Sequence, residues 1–210
     1  MKIPVGNVTL EGDLVIPKGS KGLVVFAHGS GSGRFSPRNR FVAAALNKHN
    51  IATLLMDLLT ADEEAVDDVT AELRFDIPML AKRVVGAVDF LAKSKETKDL
   101  SIGIFGASTG AAAALIAAAE RPSVVKAVVS RGGRPDLAMD ILPKVKAPTL
   151  LIVGGLDDVV IGMNEQAFKK LKCDKKLVIV PGATHLFEEP GTLEKVAALA
   201  AEWFRRYLEK

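Results

Sequence analysis

Short, largely apolar runs recur along the chain and alternate with stretches whose apolar residues are spaced for helices. Leu23–Ala27, Ile51–Met56, Leu100–Phe105, Val124–Ser130, Thr149–Val153 and Leu177–Val180 are too short for helices and mostly lack the polar alternation of a half-exposed strand. They predict strands covered on both faces. Val8 to Ile16 alternates loosely around Gly12 and stops at Pro17, which predicts an edge strand or hairpin.

Between these runs lie helix signals. Ser36 and Pro37 form an N-cap and a first-turn proline, and Phe41, Val42, Ala45 and Leu46 supply a helical face that stops near Asn50. Thr60 and Glu63 have capping-box spacing, and Asp76 with Pro78 starts a helix reaching Leu91. Ala111–Ala119 is alanine-rich and suits close packing on a sheet. A last helix, from about Pro190 to Leu208, places Leu193, Val196, Ala197, Ala200, Trp203, Phe204 and Tyr207 on one face. Strand and helix alternate throughout, with no repeat, linker or low-complexity segment. The expected fold class is α/β, a doubly wound and mostly parallel sheet with helices on both faces, and ligands bind such sheets at the carboxyl ends of the strands.

The chain has 210 residues and 49% hydrophobic content, enough for one well-buried core, so a single domain over 1–210 is expected. The 28 basic and 25 acidic residues are interspersed and leave a net charge of only +3, which argues against nucleic acid as a partner. The longest unbroken apolar run, Ala111–Ala119, is too short for a bilayer, so no membrane partner is expected. The lone Cys173 has no internal disulfide partner, and Met1–Asn7 lacks an apolar signal core. A cytoplasmic protein is the expectation. Trp203 and Tyr207 near the carboxyl terminus leave room for a homo-oligomer.

Candidate chemistry centres on Gly106-Ala107-Ser108-Thr109-Gly110, a sharp turn between strand and helix. A serine at such an apex is held in a strained conformation clear of the sheet, and the residues two before and two after it must be small. The first helical amide, Thr109 N–H, then becomes a donor for a developing oxyanion. A serine hydroxyl is a weak nucleophile and needs a base and an orienting carboxylate. Of three histidines, His49 lies at a helix end and His28 starts the glycine-rich loop His28–Gly33. His185 remains, in a turn after the last strand. Asp157 and Asp158 follow Thr149–Val153, with Asp157 favoured, Asp158 its rival and Asp57 third. Ser30, in the glycine loop, is the candidate for the second oxyanion amide.

The order Ser108, Asp157, His185, with the loop upstream, resembles the α/β-hydrolase superfamily. More narrowly, His28-Gly29, Asp157 with Val160, and Gly182-Ala183-Thr184-His185 are similar to the dienelactone hydrolase family. The resemblance covers almost the whole chain and implies an α/β-hydrolase fold with no separate cap domain. It implies hydrolysis of a small-molecule ester or lactone through an acyl-enzyme, with no metal or organic cofactor. The namesake enzymes use a cysteine nucleophile, whereas Ser108 stands here and Cys173 lies elsewhere, so a general serine esterase acting on esters, with lactones or thioesters as further substrates, is the expectation.

Arg131 and Arg134 follow one strand, and Arg34, Arg38 and Arg40 follow the glycine loop. They are candidates to ring the mouth and bind a substrate carboxylate, against the alternative of solvated or structural arginines. Arg74 and Phe75, in the irregular acidic segment, are candidates either to line the acyl pocket or to anchor the loop. Two rivals stand beside the esterase. Phe105–Ala111 also resembles the glycine turn of short-chain dehydrogenases, a nucleotide-dependent oxidoreductase, but it lacks G-x-G-x-x-G spacing and no Tyr-x-x-x-Lys exists, Tyr207 being the sole tyrosine. A hydrolase-fold ligand-binding protein without turnover is the other.

Overall fold

The computed structural model describes residues 1–209. Its strands are β1 (Lys2–Val5), β2 (Val8–Val15), β3 (Gly22–Ala27), β4 (Ala52–Met56), β5 (Ser101–Ala107), β6 (Val125–Arg131), β7 (Thr149–Gly154) and β8 (Lys175–Val180). The helices are α1 (Pro37–Lys48), α2 (Ala61–Thr70), α3 (Ile77–Leu91), α4 (Thr109–Glu120), α5 (Asp158–Lys170) and α6 (Thr192–Leu208). One sheet of eight strands runs in the order β1-β2-β4-β3-β5-β6-β7-β8. The edge pair β1–β2 is an antiparallel hairpin, β2 lies antiparallel to β4, and every pairing from β4 to β8 is parallel. This is the doubly wound sheet that the strand–helix alternation predicts and the α/β-hydrolase fold that the family resemblance implies.

Local chemistry sets the helix starts. Ser36 caps α1 by accepting the Asn39 N–H at 3.3 Å, with Pro37 in the first turn. Thr60 and Glu63 close a reciprocal capping box on α2, at 3.2 and 2.8 Å. Asp76 accepts the Met79 N–H at 2.9 Å and starts α3.

Helices α3, α4 and α5 pack on one face of the sheet, and α1 and α6 on the other. All the alanines of α4 but Ala119 are fully buried, because a helix without bulk can lie close to the strands. On α6 the expected stripe faces inward through Val196, Ala197, Ala200, Trp203 and Phe204, and Tyr207 is half-buried. Truncating a fully buried ring such as Phe204 to alanine costs on the order of 3–5 kcal/mol.

Strands β3 and β5 are neighbours, with Ala27 opposite Gly106, although a helix, a strand and the α2–α3 excursion separate them in sequence. From β3 the chain crosses to β4 on one side, and β5 returns on the other. The loops leaving the carboxyl ends of β3 and β5 therefore meet at the point where strand order reverses, where open α/β sheets hold their ligands.

Candidate active site

Ser108 sits between β5 and α4 at φ 50°, ψ −122°, a left-handed conformation that costs a non-glycine residue on the order of 1–3 kcal/mol. The turn is possible because its flanks have no side chains. A Cβ on Gly106 would fall 2.5 Å from the Ala111 Cα, and one on Gly110 would strike the carbonyl oxygens of Ala27 and His28. The Ser108 N–H donates to the Arg131 carbonyl at 3.2 Å, and its own carbonyl accepts from Arg134 N–H at 3.0 Å, so β6 braces the strained residue.

His185 Nε2 stands 3.3 Å from Ser108 Oγ, and its Nδ1 stands 2.6 Å from Asp157 Oδ2. With Nδ1–H donating to the carboxylate, Nε2 is left to accept a proton from the serine. Asp157 precedes α5 and is half-buried, whereas Asp158, the first residue of α5, is exposed. The His185 loop is pinned at both ends. Thr184 donates through its N–H at 3.1 Å and its hydroxyl at 2.6 Å to Glu189, and Phe187, at φ 57°, buries its ring in the core. Those Thr184 hydrogen bonds hold the Glu189 carboxyl below its ordinary pKa.

The first four amides of a helix have no partner within it, so α4 leaves Thr109 N–H beside Ser108. The Ser30 amide, the candidate for the second donor, has a partner of its own. Its N–H donates to Thr109 Oγ1 at 3.0 Å, and the two hydroxyls lie 3.1 Å apart. His28 shapes this loop from beneath: Nε2 accepts the Leu58 N–H at 3.0 Å, and Nδ1 lies 2.9 Å from the Gly29 carbonyl, which requires the proton on Nδ1. Burial depresses its pKa, in keeping with a neutral ring. His49 is the exposed C-cap of α1.

An open cleft of about 530 Å³ is lined by Ser108, His185, Leu186, Arg38, Asn39 and Arg131. A second cavity of about 430 Å³ lies on the other side of the Gly29–Ser32 loop, with His28, Leu58, Leu59, Leu80 and Arg74 in its wall. Arg34, Arg74 and Arg131, the candidates for substrate binding, thus separate. Arg34 is not in the cleft wall; its main-chain N–H donates to Asp57 at 2.7 Å, and its guanidinium pairs with Asp57 and, at 3.7 Å, Asp13. Arg74 lines the second cavity with its guanidinium held by Asp67, at 2.6 Å, and by Asp68. Only Arg131 of the three shares a cleft with Ser108. Arg38, grouped with them in the glycine-loop run, joins it there.

A model of the dienelactone hydrolase family matches residues 36–209. The chain belongs to the dienelactone hydrolase family. A solved structure of a dienelactone hydrolase from Anabaena variabilis is 62% identical, covers 99% of this chain and 96% of its own, and superposes with a TM-score of 0.98. Est1E from Butyrivibrio proteoclasticus shares the fold at 20% identity, with a TM-score of 0.82 over 98% of this chain and 97% of its own. A Mycobacterium tuberculosis protein named "Putative phosphoribosyl transferase" is 53% identical over 99% of this chain, which spans about half the length of that relative, 46%.

Cys173 lies away from Ser108, at the amino-terminal edge of the sheet, with its thiol 3.7 Å from the Thr149 hydroxyl at the start of β7. Burial pushes the thiol pKa up, the opposite of what a thiolate nucleophile requires. Among the described residues no helix is long and apolar enough to cross a membrane.

Proposed function

We propose that this protein is a hydrolase that cleaves carboxylic esters through an acyl-enzyme formed on Ser108. The observation that carries the reading is the hydrogen-bonded path from Asp157 through His185 to Ser108, ending at the strained turn beside the Thr109 amide. In the first step Ser108 Oγ attacks the carbonyl carbon while His185 Nε2 takes its proton. The carbonyl oxygen becomes an oxyanion held by Thr109 N–H and by Ser30 N–H as it exchanges the Thr109 hydroxyl for the developing charge. Collapse breaks the bond to the alcohol, which leaves with the proton from His185. Water then attacks the acyl-enzyme by the same proton route and regenerates Ser108. Asp157 holds the imidazole tautomer and stabilises its cation.

The Anabaena protein carries the name dienelactone hydrolase, and a lactone is a cyclic ester open to the same steps, so lactones belong within this proposal. The transferase name of the mycobacterial relative belongs to a chain about twice as long. The test is turnover of p-nitrophenyl acetate by the parent and by Ser108→Ala and His185→Ala. Each variant is expected to lose on the order of 10³-fold or more in kcat with its fold intact. Full activity in either variant overturns the proposal, and an inert parent favours a binding protein.

A further inference from the structure

Arg131 is 5% exposed, and among the described residues no carboxylate lies within ion-pairing distance of it. One amino group donates to the neutral Asn39 Oδ1 at 3.3 Å, Nε is buried without a partner, and the guanidinium carbon lies 6.0 Å from the centre of the Phe187 ring. A buried charge is normally paired, because the interior offers far less solvation than water. Burial and the neighbouring Arg38 charge together push the Arg131 pKa down to about 10, the sign of a cation that lacks its counter-ion.

The second guanidinium makes the deficit larger. Arg38 lines the same cleft, its Nε also buried without a partner, and its one carboxylate, Glu188 at 3.1 Å, is largely exposed and so neutralises it weakly. The amino-terminal end of α1 faces the same cleft through Ser36 and Asn39, and Ser32 adds a hydroxyl from the loop. Two cations and a helix N-terminus call for more than one negative charge. Donors arriving from β6, from α1 and from the loop suit a tetrahedral group with several terminal oxygens better than a planar carboxylate met from one side.

We infer that Arg131, Arg38 and the amino-terminal end of α1 form a phosphoryl-binding subsite in the cleft of Ser108, and that the substrate is an ester whose leaving alcohol carries a phosphate. The alcohol side follows from His185 and Leu186, which line this cleft, since the imidazole returns its proton to the leaving oxygen. The inference rests on the hydrolase reading of Ser108. The phosphate takes no part in the covalent steps: it enters and leaves as the same dianion on the alcohol.

The test compares three acetyl esters that share one acyl group: 1-O-acetylglycerol 3-phosphate, 1-O-acetylglycerol and 3-acetoxypropionate. The phosphate ester is expected to exceed the neutral ester in kcat/KM by about tenfold or more, chiefly through KM, and to exceed the carboxylate. In Arg131→Gln, and separately in the half-exposed Arg38→Gln, the phosphate-to-neutral ratio falls toward one. Calorimetry with inorganic phosphate on Ser108→Ala reads the subsite without turnover, and binding lost in Ser108→Ala/Arg38→Gln is the expected result. Equal rates on phosphate and neutral esters, a preference for the carboxylate, or equal losses on both esters in Arg131→Gln overturn the inference; equal losses mark a structural arginine. If no ester is turned over, the hydrolase reading itself fails, which is a different result from turnover without phosphate preference.

Discussion

The Thr109 hydroxyl accepts the Ser30 N–H at 3.0 Å, joining the loop after β3 to the first turn of α4 across 79 positions of sequence. The bond fixes the Ser30 amide next to the Ser108 turn, and in the proposed mechanism it yields when charge develops on a substrate oxygen. Thr109→Val removes the hydroxyl and keeps the shape. It is expected to lower kcat on p-nitrophenyl acetate by about tenfold with little change in KM, because the loop loses its anchor. Thr109→Ser restores the hydroxyl and should restore the rate. A Thr109→Val enzyme faster than its parent would show that the hydroxyl obstructs the amide.

Adjacent aspartates separate a partner of His185 from a helix-starting residue. Asp157 lies 2.6 Å from His185 Nδ1, while Asp158 is exposed at the first position of α5. Asp157→Asn is expected to lower kcat by about 10²-fold or more by disfavouring the working tautomer, and Asp158→Asn to stay within about twofold. Steady-state kinetics on both variants decide this, and equal losses would remove Asp157 from the mechanism.

Glu189 reaches no reacting atom, yet it holds Thr184 beside His185 by two hydrogen bonds. Glu189→Ala is expected to loosen the imidazole and reduce kcat by about tenfold, with the melting temperature nearly unchanged because the residue is on the surface. Glu189→Gln, which keeps one acceptor oxygen, should fall between. An unaltered kcat in Glu189→Ala would mean that Phe187 alone positions the loop.

Asp67 closes the carboxyl-terminal end of α2 onto Arg74. Burial raises its pKa, but hydrogen bonds from the Arg74 N–H at 2.9 Å and Nε at 2.6 Å, with the guanidinium charge, outweigh that and hold it below the usual carboxylate value. A depressed folded pKa contributes stability that is fully present above the unfolded value of about 3.9 and is lost as pH falls through the folded one. Asp67→Asn should therefore lower the melting temperature at pH 7, and the gap from the parent should close as the pH is taken below about 4. A gap independent of pH would show that the carboxylate's charge contributes nothing.

The caps of α1, α2 and α3 were legible because each is a contact between residues three apart, and the buried strands because their apolar runs are local too. Strand β1 was not, since Lys2 and Pro4 break its pattern and its pairing with β2 is what orders it. Ser108, Asp157 and His185 could be chosen because each follows a strand end, and the parallel order of β5, β7 and β8 puts all three ends on one edge. The arginines had no such rule. Whether Arg34 and Arg131 face a ligand depends on which carboxylates the fold brings near, and Asp57 meets one while only Asn39 meets the other.

Gly29, Ser30 and Ser32 belong to the walls of both cavities, the cleft with Arg131 and the one floored by Leu58 and Leu80. A single strip of main chain is thus a partition between two chambers of different character, one with Arg38 and Arg131 in its wall and one that sets leucines beside Glu64, Asp67 and Asp68. A substitution that bends the strip to widen one chamber narrows the other, and it carries the Ser30 amide along with it.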